Sequence, residues 1–450
     1  METTQYIVTI EVCSSKVVGV LGEKDDSGSV SVTALVSEPL TSDCVRRGFV
    51  QNVEETKAHV AQVLYRLQNQ IAPKKIQSVY VGIAGRSLHN IPVEIKQSLD
   101  PNLPISEDTI DDIFTQCRNM SIEGEILDVT PQQYLLDGNL ETRMPIGSYS
   151  SSITAKMNLI VAKTALKTNL HRVFDTLCDV MGYIVTPLAV GDKTLTPDAR
   201  QLGCMLLDFG AETTTVSIYK NDALQYIATL PMGSRLITID ITKMNIIETK
   251  AEDLKRTVGN ATQLDVKNEQ VIDGVKVSDI SNYVQARIGE IGANIAAQFE
   301  YAKMSADDIS AGGIIIIGAG SRLNGFEAFL TKNLSLKVIK GQHCPYINRI
   351  APEAENFEFI QSVALLAAAA DAIDPDDNCV FTPKSDPLEP PVDEYQPQPS
   401  VSEQTTPKEP GKVSRFFQKM KSGAINIFSG SDDDDEDDNF SDDDEKNSKY

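Results

Sequence analysis

Apolar residues along this chain alternate between a period of two and a helical period, and the switches between them outline an α/β body. From Tyr6 to Gly22 the run YIVTIEVCSSKVVGVLG reads as two β-branched strands broken at Cys13-Ser14-Ser15-Lys16, the pattern of a β-hairpin. A second passage repeats it: Met205 to Leu207 reach Asp208-Phe209-Gly210, turn, and resume as Thr214 to Tyr219. Superposing Glu11 on Asp208 places Cys13 on Gly210 and Lys16 on Thr213, an offset of 197 positions. Self-similarity at domain-scale spacing predicts two related halves rather than a solenoid.

Helical periodicity predicts helices over Val53 to Gln70, Ala165 to Met181, Glu107 to Arg118 and Phe359 to Ala372, and Ser78 to Ile83 reads as a strand closed by Ala84-Gly85. A short apolar strand, Ile314 to Ile317, runs into the glycine turn Gly318-Ala319-Gly320 and a helix beginning near Asn324. Strands alternating with helices give an α/β class. Residues 86–162 carry their own mixed pattern and read as an inserted subdomain. After Pro375 proline and acidic residues replace the periodic apolar ones as far as Pro410, the composition of a linker. Treated as a flexible coil of about 30 residues, it reaches roughly 30 Å.

Beyond the linker, GKVSRFFQKMKSGAINIFSG recovers helical spacing. Val413, Phe416, Phe417, Met420, Ala424, Ile427 and Phe428 form one face, and Lys412, Arg415, Lys419 and Lys421 crowd the first half. A greasy face with a cationic flank is what a helix lying in a membrane interface needs. Each buried Phe, Ile or Met contributes about 1.5 to 3 kcal/mol at most, and each Lys or Arg about 1 kcal/mol on an anionic leaflet. Gly423 weakens the helix by up to about 1 kcal/mol. Binding of one copy is therefore reversible, and many copies linked in a polymer would hold where one would not.

Charge changes the picture at the ends. The formal net charge is −23, and the stretch Asp432 to Glu445 alone holds eleven acidic residues, leaving −12 on the rest. An acidic body lacks the basic footprint that nucleic-acid binding requires. The acidic run is a solvated tail or a competitor for the four basic residues of the preceding helix. Seven scattered cysteines without a CxxC pair indicate neither a disulfide framework nor a zinc site and fit a reducing compartment. The opening strand-like run and the lack of an apolar stretch of roughly 18 residues predict a chain that is neither secreted nor integral.

The candidate chemistry lies at the glycine-marked turns. Asp208 ends a strand beside Gly210, where a carboxylate and bare N–H groups can meet a phosphate-bound metal, and Thr213 and Thr214 add hydroxyls. The turn at Gly318, Ala319 and Gly320 offers backbone and a helix N-terminus to a base or a phosphate. Hairpin, hairpin, Ala251-Glu252-Asp253-Leu254-Lys255 and strand-glycine-turn follow one another in that order.

On these motifs the chain resembles the FtsA family of bacterial cell division proteins, a branch of the actin and Hsp70 ATPase superfamily, over essentially residues 5–375 and the terminal helix. The resemblance implies an actin-like fold of two lobes built on duplicated ribonuclease-H-like domains. The first lobe would comprise 1–85 and 163–202, with the family's inserted subdomain at 86–162. The second would comprise 203–235 and 305–375, with a smaller subdomain at 236–304. A disordered linker (376–410), an amphipathic helix (411–428) and an acidic tail (429–450) would follow. It implies ATP with Mg²⁺ held by Glu11, Ser14, Ser15 and Lys16 of the first hairpin, by Asp208, Gly210, Thr213 and Thr214 of the second, and by Gly318, Ala319 and Gly320. Glu252 and Lys255 would meet the adenosine, and Asp208 would hold the metal through water.

It also implies self-association into filaments and capture of the C-terminal peptide of the tubulin-like protein FtsZ. Recruitment of later division proteins and attachment to the cytoplasmic face of the inner membrane at the division site would follow. Two departures from the family pattern stand out. Glu11-Val12-Cys13 replaces Asp-x-Gly, and Ala211-Glu212 stand where small glycines are usual, which puts Glu212 close to a bound polyphosphate. Two like charges at about 4 Å cost about 1 kcal/mol in water. Weak or metal-dependent ATP binding and very slow hydrolysis are expected, with no residue placed as a general base. A small-molecule kinase and an actin-like pilus-assembly protein share this body plan, and the terminal helix after a linker favours the division family over both.

Overall fold

A computed structural model of the chain describes residues 4–41, 43–262, 270–272 and 274–383. The linker from 384 onward, the amphipathic helix with Lys412, Val413, Arg415, Phe416, Phe417, Lys419, Met420, Lys421, Ile427 and Phe428, and the acidic tail lie outside the described residues.

Both hairpins form, and they are built alike. Gln5–Val12 pairs antiparallel with Lys16–Lys24, and Cys204–Phe209 with Thr214–Lys220. Glu11 stands opposite Val18 as Asp208 stands opposite Thr215. The turns match as well: the Cys13 N–H donates to the Lys16 carbonyl at 2.9 Å and the Gly210 N–H to the Thr213 carbonyl at 2.9 Å. The offset of 197 residues read from the sequence is thus the structural offset.

Each hairpin seeds a sheet of the same order. In the first lobe the strands run Asp179–Val185, Ser78–Ile83, Gln5–Val12, Lys16–Lys24, Val30–Pro39, with Ile347–Arg349 at the edge. In the second they run Val338–Lys340, Gly313–Ile317, Cys204–Phe209, Thr214–Lys220, Ala223–Leu230. Most residues of the hairpin strands are buried in unbroken runs, because both faces of each sheet are covered. The helix Val53–Gln70, capped by the Asn52 side chain on the Glu55 N–H, turns Val60, Val63, Leu64 and Leu67 inward. A Cβ on Gly19 would lie 2.5 Å from Val63 Cγ1, which is how closely that helix approaches the sheet.

Residues between the first lobe's strands form an antiparallel extension, Glu125–Leu136, Ser152–Ala162 and His89–Ser98, with the helix Glu107–Arg118 and its own apolar core. It joins the second lobe's sheet through the pair Ala228 and His89.

Three expectations are corrected. The helix begun at Ala165 runs from Thr164 to Phe174 and does not reach Met181; Asp179–Val185, rich in β-branched and aromatic residues, is a strand parallel to Ser78–Ile83. The segment 305–375 is divided between the lobes. Ile347–Arg349 pairs with the first sheet, and the helix Ile360–Ala372 packs there, where a Cβ on Gly22 would lie 2.5 Å from Leu366 Cδ2. Nor does the fold stop at Pro375: Cys379 is buried and Val380–Phe381 pairs with Lys75–Ile76.

The lobes meet where the helix Thr186–Thr194 lies on the second hairpin. A Cβ on Gly191 would fall 2.0 Å from the Tyr219 hydroxyl oxygen and 2.6 Å from Cζ. Glycine inside a helix ordinarily costs about 1 kcal/mol relative to alanine, so Gly191→Ala tests this contact by sign. It is expected to destabilise the protein by about 1 to 3 kcal/mol in urea titration, as overpacking does. A gain in stability would show that the contact does not set the spacing of the lobes.

Candidate functional site

Because the two hairpins are related by duplication, their turns face one another, and between them lies a cavity of about 90 Å³. Its walls include Glu11, Cys13, Ser14, Ser15 and Lys16 from the first turn, Asp208, Gly210, Glu212 and Thr213 from the second, and Gly318 and Ala319 from the glycine turn. Close approach is possible there because Gly318 has φ 83°, and a Cβ on it would lie 2.4 Å from Asp208 Oδ1.

The two carboxylates dominate the electrostatics. Glu11 is buried, with Ser362 Oγ donating to Oε2 at 2.8 Å and Gln361 Nε2 donating to Oε1. Burial raises its pKa against the opposing pull of these bonds and of Lys16. Asp208 keeps some exposure to the cavity, yet the surrounding protein, followed by the charge of Glu11, pushes its carboxyl from 3.8 up to about 7. Cys13, whose thiol is hydrogen-bonded to Glu11, is pushed up by burial and then by that same charge. Two neighbouring carboxylates, both with pKa values raised chiefly by burial, are a donor set that fits a divalent cation with oxygen ligands.

Lys16 is steered by a 3.2 Å ion pair with Glu358 and lies 4.4 Å from the Phe359 ring centroid. Ser14 Oγ accepts the Gly48 N–H at 3.1 Å, tying the first turn to the Arg47-Gly48 turn. Glu212 does not stand as a bare charge: Oε2 accepts the Arg47 backbone N–H at 2.6 Å and Oε1 accepts from Arg235 Nη1 at 3.0 Å. The expected repulsion is therefore met by a partner already in place.

Four of the candidate residues lie outside the cavity lining. Thr214 is buried and its hydroxyl donates to the Met232 carbonyl at 2.7 Å. Gly320 is packed under the turn, where a Cβ would come within 2.7 Å of the Phe209 carbonyl oxygen. Glu252 and Lys255 pair at 2.6 Å on the helix Glu248–Thr257, and both hydrogen-bond to Thr238. Burial lowers the Lys255 pKa despite Glu252; for Glu252, Lys255 overcomes the burial and the pKa falls.

Sequence reasoning missed residues that come from far along the chain. Gln361 and Ser362 orient Glu11, and their signal is a polar pair just ahead of the apolar run Val363–Ala370 of the helix IQSVALLAAAADA. Thr186 lines the cavity with its hydroxyl buried and without a hydrogen-bond partner. Away from the cleft, Cys44, Glu55 and His59 bring potential metal ligands within 4.8 Å of one another. The Thr41 hydroxyl lies 3.2 Å from both Cys44 Sγ and Glu55 Oε1, so that group is already bonded within itself. Among the described residues no helix is long and apolar enough to cross a membrane.

Family models match two stretches of the chain: "SHS2 domain inserted in FTSA" over residues 85–161 and "Cell division protein FtsA" over residues 205–364. The chain is similar to cell division protein FtsA of Porphyromonas gingivalis, with 28% identity over 350 residues covering 74% of this chain and 71% of the relative. It is also similar to FtsA of Neisseria meningitidis, with 26% identity over 361 residues covering 76% and 85%. Among solved structures, the PilM-PilN type IV pilus biogenesis complex superposes with a TM-score of 0.56 at 15% identity, covering 81% of this chain and 98% of that one. That likeness shows the actin-like fold.

The raised carboxyls give a pH signature. A carboxyl whose pKa is raised by folding contributes stability that is full below its unfolded value and lost as pH rises through its folded value. For Asp208 that window runs from 3.8 to about 7. In metal-free protein, Asp208→Asn is expected to gain stability relative to the parent as pH is raised from about 5 to about 8. A difference that stays flat across this range in urea titrations would show that Asp208 is not held neutral.

Proposed function

Because the chain belongs to the FtsA family of cell division proteins, we propose that it binds ATP with Mg²⁺ between its lobes and links division filaments to a membrane. The observation that carries the nucleotide reading is the pair Glu11 and Asp208, presented from duplicated turns into one cavity with their pKa values raised. Asp208 would hold the metal through water, and Glu11, fixed by Gln361 and Ser362, would hold its hydration shell. Ser14, Ser15, Lys16, Gly210 and Thr213 would meet the phosphates, with Gly318 and Ala319 closing over them. The metal supplies charge neutralisation between carboxylates and phosphates.

Neither carboxylate of the lining is left to act as a general base in this reading, since Glu11 is engaged by two donors and Asp208 is committed to the metal. Hydrolysis is therefore slow, and nucleotide acts mainly by holding the lobes in one arrangement. Copies of the chain would associate into filaments, with the inserted subdomain at 86–162 taking part in this and in contacts with later division proteins. The smaller subdomain at 236–304 would receive the C-terminal peptide of FtsZ. The helix at 411–428 would attach the assembly to the cytoplasmic face of the inner membrane. The match to the domain inserted in FtsA supports division over pilus assembly.

Two measurements test this reading. Fluorescent ATP is expected to bind in the presence of Mg²⁺ and to lose at least about tenfold in affinity in Asp208→Ala, the scale of one charge-assisted contact. Tight binding that ignores both Mg²⁺ and the substitution would sink the nucleotide site. Separately, full-length protein is expected to sediment with anionic vesicles and to recruit FtsZ to them, whereas a chain ending before Gly411 stays in the supernatant. Equal sedimentation of the two would refute the membrane role of the terminal helix.

A further inference from the structure

Glu212 lies on the turn of the second hairpin, with its side chain 12% exposed. Its two carboxylate oxygens point in different directions. One takes the backbone N–H of Arg47, which belongs to the short hairpin Val45–Val50 of the first lobe, at 2.6 Å. The other takes Arg235 of the second lobe at 3.0 Å, and Arg235 is itself held by Glu248 at 2.8 Å. The Arg47 end is equally fixed. Arg47 has φ 52° and Gly48 φ 84°, a turn that aims successive N–H groups at the cleft. The Arg47 carbonyl accepts the Arg86 N–H at 2.9 Å, and the Gly48 N–H is given to Ser14. The Glu212 carboxylate therefore bridges the two lobes from the wall of the cavity, bonded to a backbone N–H of the kind that an anionic oxygen of a phosphate uses.

We propose that Glu212 is a built-in anion that latches the lobes together and competes with the outermost phosphate of a nucleotide for the Arg47 N–H. This rests on the cleft being the nucleotide site. A shorter polyphosphate can sit deeper, against the first turn and Asp208, without meeting the latch. A triphosphate has to displace it, because one backbone N–H cannot serve two anionic oxygens that would repel each other at contact distance. The latch thus discriminates by phosphate number, favouring a nucleoside diphosphate, and it keeps the cleft closed when no nucleotide is bound.

The test compares full-length protein with Glu212→Gln and Glu212→Gly. Glu212→Gly is expected to raise affinity for ATP with Mg²⁺ by at least about tenfold, the worth of one charge-assisted hydrogen bond. Affinity for ADP should change by less than about threefold. Glu212→Gln, which keeps the shape and loses the charge, should fall between. Amide exchange at Arg47 in nucleotide-free protein should quicken in both variants as the bond is weakened or lost. Equal gains for ADP and ATP, or no gain, overturn the competition while leaving the nucleotide site standing. Unchanged exchange at Arg47 overturns the latch. Failure of all three proteins to bind either nucleotide sinks the reading of the cleft and the competition with it.

Discussion

Two carboxylates buried against one cavity cannot both be charged unless something positive lies between them. Glu11 and Asp208 are in that position, and much of the fold serves to keep them there. Each ends a strand buried on both faces, so neither strand can slip by one residue without turning a row of apolar side chains to solvent. Glu11 is further fixed by Gln361 and Ser362 of the helix Ile360–Ala372. The first lobe is thus incomplete until nearly the whole described chain has been laid down, and its site is assembled from both ends of that chain. Val380–Phe381 on Lys75–Ile76, and Gln5 Nε2 donating to the Asp374 carbonyl at 2.7 Å, fasten the same closure from outside.

Duplication explains why the constraint arises in pairs. The same strand order in both lobes, with matching register at Glu11 and Asp208, brings two equivalent turns head to head. What differs between the copies is how each turn is tethered. The first is bound to the Arg47-Gly48 turn through Ser14, whereas the second is bound through Ser234 and Arg235, whose N–H groups donate to the Gly210 and Ala211 carbonyls at 3.0 and 2.7 Å. The inserted strands join the second lobe through the ladder pair Ala228 and His89, and Asn90, Gln132 and Asn158 bond to the 224–227 backbone beside it, with Arg143 paired to Asp222. Their core is their own.

Local pattern revealed the elements that depend on local pattern. The helices Val53–Gln70 and Glu107–Arg118 and the strand Ser78–Ile83 fall where their periodicity places them, because each has one clear apolar face or an unbroken apolar run. The hairpins were visible because a duplicated turn is a sequence signal in itself. What stayed hidden depends on partners distant in sequence. Gln361 and Ser362 acquire meaning only opposite Glu11, some 350 residues away, and Asp179–Val185 becomes a strand because Ser78–Ile83 leaves an edge for it. Thr214 illustrates the reverse error. Thr213 belongs to the turn and reaches the cavity, whereas Thr214 opens the strand and turns inward to Met232, leaving Thr215 on the opposite face to line the cavity.

The departures of this cleft from small, glycine-rich turns take on a common direction once charges are paired off. Of the acidic side chains in its wall, Glu358 is matched by Lys16 and Glu212 by Arg235. Glu11 and Asp208 form no ion pair among the described residues, and burial is what chiefly raises their pKa values, with the charge of Glu11 adding to it at Asp208. A polyphosphate entering alone would add anions to an anionic cavity, whereas a divalent cation entering first cancels a surplus equal to its own charge and lets both carboxyls ionise. The order is imposed by desolvation, since charges that would cost about 1 kcal/mol against each other in water cost several times more where water is scarce. If the cleft takes a polyphosphate as proposed, a divalent cation would have to enter with it or before it, and the side chains of Cys13 and Glu212 in the lining would strengthen that order by narrowing the space in which water could screen the charges.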